Sequence, residues 1–305
     1  MSQSMKSFTV LVTGATGNQG LATINALTAS PHPPSTIFAL TRNASSPRAK
    51  TIEAKSSTIK LLAGDLDDCP AIFSSAPIHV DAVFSVQINF YGGPNEHIKE
   101  EVQARNLIEA ALSHGVKQFV QSTGDRGGPG NSAIDPTNVP NFATKFHIEQ
   151  HLMSRAAATG MTWTILRPTS FMENLTDDLQ GKGFARMWSY CGDKPLQLVA
   201  TKDIGIFAAK ALLESGDPRW RNKAVGVCGD ELTQAKGSEV YAKVMGRGMP
   251  IAPCVVGKLV QWKVPELKSM FTWFSEVGCA VDVAECRAIN PGMLDLEGWL
   301  RKTKV

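Results

Sequence analysis

"VLVTGATGNQG", residues 10–20, joins a run of apolar residues to the start of an amphipathic segment. Three glycines, Gly14, Gly17 and Gly20, lie at the junction. In a strand–turn–helix unit such glycines permit a tight turn and bring a dinucleotide pyrophosphate close to the N-terminus of the helix. The polar side chains that can add contacts there are Thr16, Asn18 and Gln19. The segment therefore predicts a dinucleotide-binding turn. A turn whose small residues serve packing alone is the alternative.

Apolar runs recur at strand-like spacing through the first two thirds of the chain. With the first one included, they occupy residues 8–14, 35–42, 59–66, 80–87, 116–123 and 161–168. Segments with helical periodicity separate them, such as residues 101–115, which end at Gly115. Strands and helices that alternate in this way indicate a parallel sheet covered by helices on both faces. We therefore expect an α/β fold with a Rossmann-like, doubly wound parallel sheet.

The regular alternation loosens beyond Pro168, where aromatic and sulfur-containing residues become frequent. Residues 1–168 are expected to form a dinucleotide-binding Rossmann core, completed by about residues 198–229. Residues 169–197 and 230–305 are expected to form a small interleaved α/β C-terminal region for a substrate or partner. Residues 124–141 are rich in glycine and proline and predict a loop long enough to act as a lid.

Composition narrows the class of protein. The chain of 305 residues is 43% hydrophobic and 19% charged, as is typical of a globular enzyme. Its net charge of +3 is weak and scattered, which argues against direct nucleic-acid binding and against an anionic membrane surface. The six cysteines form no Cys-x-x-Cys pair, so reduced thiols are expected and a metal site is not. No secretory leader or long apolar span is apparent, which predicts a cytoplasmic protein that can also enter the nucleus.

The end of the second strand indicates the type of nucleotide. An acidic residue there would bind the ribose 2′-hydroxyl of NAD, but residues 39–50, "ALTRNASSPRAK", contain none. Arg42 can instead pair with a 2′-phosphate, with help from Arg48 or Lys50, because a planar guanidinium matches phosphate oxygens two at a time. We therefore expect NADP(H) to be preferred over NAD(H). A solvated basic loop is the alternative.

The ends of the next two strands supply further candidate cofactor contacts. Asp65 and Leu66, in "AGDLDD", can lie at the edge of the adenine, with Asp65 accepting from its amino group. An acidic turn at a helix start, favoured by the helix dipole, is the alternative for this segment. Val86 and Gln87, at the end of the fourth strand, are expected to complete the cofactor site.

Residues 140–154, "PNFATKFHIEQHLMS", resemble a catalytic helix of dinucleotide-dependent reductases. At helical spacing Lys145 and Glu149 fall within the apolar arc, so Lys145 points inward, whereas His147 and His151 lie on the opposite face. An inward lysine is a candidate contact to the nicotinamide ribose and a candidate proton donor in a reduction. A simple intrahelical pair with Glu149 is the alternative.

The tyrosine that usually stands four residues before such a lysine is absent, and position 141 is Asn141. Tyr91 follows the fourth strand on a Gly-Pro loop and is a substitute donor. Ser122 or Thr123, at the end of the fifth strand, can hydrogen-bond a carbonyl, and capping of the strand is the alternative. Lys145, Ser122 and Tyr91 are therefore the candidate catalytic residues.

A substrate pocket is expected in the C-terminal region, because pockets of this kind are mostly apolar with few polar groups. The residues assigned to it are Phe171, Asn174, Met187 and Trp188. The segment that begins at Pro265 contains Leu267, Met270, Phe271 and Phe274 at helical spacing. For that helix alone, ordinary core packing is the favoured interpretation.

Together these motifs resemble the NmrA-like family of atypical short-chain dehydrogenases/reductases over nearly the whole chain. The segments that carry the resemblance are "VTGATGNQG", "GDLDD", "VFSVQ", "FATKFHIEQHL", "TILRPTSFMENL", "FSEVG" and "INPGMLDLEGWL". In that family the tyrosine is often missing while the lysine remains, as with Asn141 and Lys145 here. The resemblance implies a Rossmann domain with a small substrate region, and Gly14, Gly17, Gly20 and Arg42 at dinucleotide-binding positions.

Two functions are compatible with the resemblance. The favoured one is an NADP(H)-dependent oxidoreductase that reduces a C=O or C=C bond of a bulky apolar or aromatic small molecule, of which aromatic polyketides are one class. The alternative is a non-catalytic sensor of the NADPH to NADP ratio that binds and regulates a transcription factor or another protein.

Overall fold

The computed structural model describes residues 7–87 and 96–303 of the chain. The candidate donor Tyr91 lies outside these residues. In chain order the strands are β1 (Thr9–Val12), β2 (Thr36–Thr41), β3 (Ile59–Ala63), β4 (Ala82–Ser85), β5 (Gln118–Ser122), β6 (Thr162–Pro168), β7 (Ser170–Phe171), β8 (Leu196–Val199), β9 (Lys223–Val227) and β10 (Asp230–Leu232).

Helices lie between most successive strands, whereas β7 directly follows β6 and β10 directly follows β9. In chain order they are α1 (Asn18–Thr28), α2 (Pro47–Glu53), α3 (Cys69–Ser75), α4 (Glu96–Ser113), α5 (Gly128–Ile134), α6 (Pro140–Thr159), α7 (Leu179–Ser189), α8 (Thr201–Leu213), α9 (Gln234–Met245), α10 (Cys254–Lys263), α11 (Pro265–Glu276), α12 (Val283–Ile289) and α13 (Leu296–Thr303). A short 3₁₀ turn occupies Met172–Asn174.

The main sheet has the order β3-β2-β1-β4-β5-β6-β9, and every neighbouring pair in it is parallel. The order reverses between β1 and β4, which opens a crevice at the carboxyl ends of these two strands. The predicted Rossmann-like, doubly wound sheet is confirmed, and each of the six apolar runs contains one of its strands.

Both faces of the main sheet are buried, which explains why its strands are apolar without a strict alternation. One face packs against α1 and α8 through side chains such as Val10, Ile24 and Phe207. The other face packs against α3, α4 and α6. Successive residues alternate between the two layers, since Val10 and Val12 belong to the first and Leu11 to the second.

A second, smaller sheet has the order β10-β8-β7 and lies in the C-terminal part of the chain. A third apolar core surrounds it, in which Trp188 of α7, Phe271 and Phe274 of α11 and Leu296 of α13 are buried together. Asp203, at the start of α8, accepts hydrogen bonds from Asn290 Nδ2 and from the Leu294 backbone N–H. This carboxylate therefore ties the helix under the main sheet to the C-terminal segment.

The glycine- and proline-rich segment 124–141 differs from the expected lid. Its first part is buried, with Asp125 and Arg126 at 3% and 1% exposure, and it continues into helix α5. The Asp125 carboxylate accepts from the backbone N–H groups of Gly127, Gly128 and Ala280. These bonds anchor residues 125–128 to the body of the protein, and Gly124 and Asp125 of this part lie on the wall of a cavity.

Candidate active site

A cavity of about 650 Å³ lies at the carboxyl ends of β4, β5 and β6. Helix α6 and the C-terminal region contribute its apolar walls, which are formed mainly by Phe142, Phe171, Phe184, Met187, Phe271 and Phe274. Aromatic rings brace one another there, since the Phe184 and Phe271 centroids are 5.7 Å apart and those of Phe271 and Phe274 are 5.5 Å apart. Lys145 and Asp125 are the charged residues among the described residues that line it. Such a cavity suits an uncharged, bulky, aromatic molecule.

The glycine turn has the geometry that the sequence predicts. Gly14 has φ +57, and a Cβ there would lie 2.9 Å from a methyl carbon of Val86. The Gly17 N–H donates to the Gly14 carbonyl at 2.8 Å, and a methyl group on Gly20 would collide with that same carbonyl. Helix α1 can start close against β1 only because these positions lack side chains.

The N-terminus of α1 is open to an anion. Gly17 occupies the N-cap position, no side chain among the described residues caps the helix, and its first turn contains no acidic residue. The unpaired N–H groups of a first turn and the helix dipole favour a negatively charged group such as a phosphate. Gln19, in this turn, also lines the aromatic cavity, so the anion site and the cavity adjoin.

Hydrogen bonds join the turn to the ends of β4 and β5, and join these two strand ends to each other. Ser122 Oγ donates to Gln19 Oε1 at 2.6 Å, and the Thr13 hydroxyl donates to the Val86 carbonyl at 3.0 Å. Gln121 Nε2 donates to Gln87 Oε1 at 3.0 Å. Ser122 lines the cavity. Because its hydroxyl donates its proton to Gln19, Ser122 supports the turn, and its Oγ is left to accept a hydrogen bond from a ligand.

The positions assigned to the nucleotide's outer half lie along the ends of β2 and β3. Arg42 directly follows β2 and is exposed. It lies near Asp67, whose pKa is lowered first by a hydrogen bond from Gln103, next by Lys99 and, to a smaller extent, by Arg42. Lys50 is engaged with Glu53 at 2.9 Å, which leaves Arg42 as the better placed cation.

Asp65 and Leu66 follow β3 in a turn that leads into α3. Asp65 Oδ1 accepts from the Asp67 N–H at 3.1 Å, and Leu66 packs partly against the core beneath. These contacts fit an acidic turn before a helix. The turn lies at the end of β3, beside the end of β2 where Arg42 is located. The contact between this turn and an adenine is still a prediction.

Lys145 of α6 lines the cavity, in agreement with its predicted inward orientation. Its partner is not Glu149, the residue that the alternative interpretation named. Lys145 Nζ donates to Glu100 Oε1 of α4 at 2.5 Å, and Lys145 is about one-fifth exposed whereas Glu100 is buried. The intrahelical pair with Glu149 is wrong, because the Glu149 carboxylate is already saturated by two arginines that the helical spacing of α6 cannot reveal.

Glu149 is the centre of a buried ionic network behind the cavity wall. Its carboxylate accepts from Arg126 at 2.7 Å and from Arg167 at 2.6 Å, and all three side chains are at most 5% exposed. Thr123 Oγ1 donates to the same carboxylate at 2.7 Å. Arg126 also donates to the Gly124 carbonyl, so the network fixes the wall segment that carries Gly124 and Asp125.

Asn141 also lines the cavity, one helical turn before Lys145. It is 6% exposed, and its Oδ1 has no hydrogen-bond partner among the described residues. Sequence reasoning treated this residue only as a missing tyrosine. Its position could have been predicted, because Asn141 stands four residues before Lys145 and therefore lies on the same inward-facing side of the helix.

Three of the four substrate-pocket predictions have the expected location, since Phe171, Asn174 and Met187 line the cavity. Trp188 does not. It is fully buried in the third core, and a Cβ on Gly237 would meet its ring. Neighbouring residues on a helix point about 100° apart, so Trp188 faces the core when Met187 faces the cavity.

Helix α11 was expected to contribute core residues alone, and this is wrong in part. Phe271 and Phe274 are buried in the third core, yet both also line the cavity. Leu267 and Met270 line it as well. A helix can serve both purposes because one apolar face is wide enough to cover a core and the edge of a pocket.

Cys279 is a cavity residue that the sequence did not indicate. Burial raises the pKa of its thiol well above the ordinary value, and the nearby Asp125 adds to the effect. The pKa of Cys69 is raised to about 12, mainly by burial. These thiols are therefore protonated near neutral pH.

Within the described ranges, no group of three or more His, Cys, Asp or Glu side chains is arranged to hold a metal ion.

A sequence model of the NmrA-like family matches residues 6–300 of the chain. The chain belongs to the NmrA-like family. Among its curated relatives is the NAD(P)H azoreductase of Xenophilus azovorans, 29% identical over 247 residues, which cover 79% of this chain and 75% of the relative. The predicted family membership is thus confirmed, and relatives of this chain include oxidoreductases.

Solved structures agree with the family's fold. An NADPH-dependent quinone oxidoreductase from Escherichia coli, complexed with NADPH, superposes with a TM-score of 0.71 at 20% identity, covering 98% of this chain and 100% of that one. NmrA itself, a negative transcriptional regulator in complex with NAD, superposes with a TM-score of 0.69 at 17% identity, covering 97% and 95%. At these identities the structures support the NmrA-like fold and no more.

In the part of the NmrA-like chain that the structure describes, none of the helices combines the length and apolarity needed to cross a bilayer.

Proposed function

We propose that the protein is an NADPH-dependent oxidoreductase that reduces a C=O or C=C bond of a bulky aromatic small molecule. One observation carries the proposal. The glycine turn, the inward Lys145 and a 650 Å³ aromatic cavity meet at the carboxyl ends of the same strands. That edge of a doubly wound sheet, at the reversal of strand order, is where ligands bind.

The residues present fit an extended dinucleotide. Its pyrophosphate would lie on the N–H groups at the start of α1, and Arg42 would pair with the 2′-phosphate. Asp65 and Leu66 would border the adenine. Val86 and Gln87 would border the nicotinamide half, since they lie between the turn and the cavity. Thr16 and Asn18 would add polar contacts at the turn.

The nicotinamide supplies the hydride, and the chain must supply a proton and a binding site for the acceptor. Reduction of a carbonyl balances as NADPH plus a proton plus ketone, giving NADP⁺ plus alcohol. Lys145 Nζ is a proton donor on the cavity wall, and its partial exposure lets solvent restore the proton. Glu100 holds the ammonium in place by its hydrogen bond.

An azoreductase among the relatives supports the choice of aromatic acceptors. The test is a panel of quinones, aryl ketones and azo dyes, each incubated with the protein and NADPH while the absorbance of the reduced nicotinamide is followed. We expect acceptor-dependent oxidation with the quinones or the aryl ketones, whereas oxidation with the azo dyes alone would indicate reduction of an N=N bond instead. NADPH binding without any oxidation across the panel would contradict the proposal.

A second function, a redox sensor that docks on a regulatory protein, is favoured by one surface feature. Val255, Leu259 and Trp262 lie on one face of α10 and are 73%, 51% and 75% exposed. Exposed apolar faces of this kind are typical of interaction sites. We prefer the enzyme because the cavity beside Lys145 is open and not filled by side chains.

Replacing Arg42 with alanine tests the cofactor preference. We expect the affinity for NADPH to fall by roughly 10–100-fold and that for NADH to change little, because a hydrogen-bonded charge pair to the 2′-phosphate contributes about 1.5–3 kcal/mol. Fluorescence titration with both coenzymes measures the two affinities. Lys50→Ala is the matched control in the same basic segment, since Lys50 is already paired with Glu53. Equal losses for NADPH and NADH in Arg42→Ala would contradict the assignment.

A further inference from the structure

Helix α10 has an apolar stripe that the rest of the described chain leaves uncovered. Val255, Leu259 and Trp262 stand four and three residues apart, so they share one face of the helix. They are 73%, 51% and 75% exposed. The opposite face is packed against the protein, because a Cβ on Gly257 would collide with the Tyr190 hydroxyl of α7. The stripe is therefore the outward side of a docked helix.

Lysines border this stripe on both sides. At 3.6 residues per turn, Lys258 lies roughly 60° to one side of Val255 and Lys263 roughly 80° to the other. Both lysines are exposed, and α10 contains no acidic residue. Exposed Lys268 follows on α11, so three lysines in residues 251–275 stand against one acid, Glu266. The rim of the stripe is therefore positively charged.

We propose that this face of α10 is a peripheral membrane-binding surface that inserts shallowly among the headgroups of an anionic lipid layer. An apolar stripe with a basic rim is the arrangement of helices that lie in such an interface. Trp262 suits the headgroup region, because an indole has an apolar body and a polar N–H. The stems of Lys258 and Lys263 can extend along the apolar boundary while their ammonium groups meet lipid phosphates.

The shape and charge of the face favour lipid over a folded protein partner. Trp262 is three-quarters exposed, so most of its side chain stands clear of the protein. A folded partner would need a matching pocket for it, whereas lipid adapts to a protruding side chain. The net charge of the whole chain is weak, but here the lysines are concentrated around apolar side chains, which is where attraction to an anionic layer adds to apolar burial.

The helices that support α10 also form part of the cavity. It packs against α11, which contributes Leu267 and Met270 to the cavity wall, and against α7. Leu179 of α7 lines the cavity and is 71% exposed, so it lies at the opening. An apolar molecule that fits this cavity also dissolves in lipid, so docking would place the opening near a store of substrate. This last step rests on the proposed reductase function, whereas lipid binding itself does not.

The test is flotation of the full chain with lipid vesicles, either of pure phosphatidylcholine or of phosphatidylcholine mixed with phosphatidylglycerol. We expect the native protein to bind the anionic vesicles about 10-fold more tightly than the neutral ones, and the difference to shrink at high salt because the lysines are screened. The emission of Trp262 should shift to shorter wavelength with the anionic vesicles, since its indole leaves water.

Two sets of substitutions locate the surface. Val255→Ser, Leu259→Ser and Trp262→Ser combined should lower vesicle binding by roughly 100-fold, because the apolar burial is lost, and change the thermal midpoint little, because the side chains are exposed. Ile134→Ser on α5 is the control, since Ile134 is 78% exposed and lies outside the stripe.

The second set removes the charge alone. Lys258→Gln with Lys263→Gln should weaken binding to anionic vesicles by about 10–30-fold and abolish the preference for them. Lys117→Gln with Lys223→Gln is the matched control. These exposed lysines lie at the amino ends of β5 and β9, at the edge of the main sheet opposite the cavity.

The absence of native binding to anionic vesicles at low salt would overturn the proposal and leave the face to a protein partner. Binding within twofold of the native value in the triple serine variant would also overturn it, because another surface would then hold the lipid. A native dimer that the triple serine variant dissociates would assign the face to a second copy of the chain instead. Vesicle binding needs no turnover, so failure of the reductase panel would leave this proposal standing.

Discussion

Replacing Glu149 with glutamine is expected to lower the free energy of unfolding by about 3–5 kcal/mol. The carboxylate is fully buried and forms ion pairs with both Arg126 and Arg167, which are themselves 0% and 5% exposed. Glutamine preserves the volume but leaves the two buried guanidinium groups without the carboxylate that pairs with them. An uncompensated buried charge costs far more than the loss of a hydrogen bond.

The measurement is the unfolding midpoint in denaturant, with the slope checked for a constant value. Glu109→Gln is the matched control. Glu109 likewise carries two basic partners, Arg155 and His151, but it is 41% exposed, so its loss is expected to change the midpoint little. Equal effects of the two substitutions would contradict the view that burial makes the Glu149 network important.

Combining the Glu149 and Arg167 substitutions distinguishes the cost of an unpaired buried charge from the cost of a lost hydrogen bond. In an Arg167→Gln background one positive charge of the network is already absent, so the further loss of Glu149 should cost less than it does in the native protein. The Glu149 variant should also bind cavity ligands more weakly, because the network holds Gly124 on the cavity wall. Additive losses in the double variant would argue against charge compensation.

The sequence predicted the sheet well because its evidence is local. Each buried strand is a short apolar run, and the glycine turn is read from eleven consecutive residues, 10–20. The inward direction of Lys145 was predictable for the same reason, since helical spacing fixes which residues share a face. The cavity lining includes Gln19, Gln87, Ser122 and Lys145, all of which the sequence had indicated as site residues.

Pairings between distant segments were not predictable. Lys145 meets Glu100 and Glu149 meets Arg167 because α4, α6 and β6 pack side by side, and neither pair has a sequence signature. Trp188 was misplaced for a related reason. Composition indicates an aromatic cluster but does not separate the side that faces a cavity from the side that faces a core.

Replacing Lys145 with methionine is expected to lower kcat/KM for the best panel substrate by roughly 10²–10⁴-fold, the usual range for loss of a positioned proton donor. Methionine keeps much of the length and apolar volume of the side chain and removes the ammonium. The assay is steady-state oxidation of NADPH, followed by single-turnover hydride transfer to separate chemistry from product release. Lys243→Met is the control, because Lys243 is also ion-paired, with Glu297 at 2.9 Å, and does not line the cavity.

Lys145→Arg separates the two roles that the ammonium can have. Arginine retains the positive charge and the hydrogen-bond donors but does not release a proton near neutral pH. If Lys145 acts as the acid, arginine should remain nearly as slow as methionine. If it acts as an anchor for ribose and carbonyl, arginine should recover much of the rate. Glu100→Gln should give an intermediate loss, since the ammonium would keep its charge and lose its fixed position. A methionine variant within twofold of the native kcat/KM would remove Lys145 from the reaction.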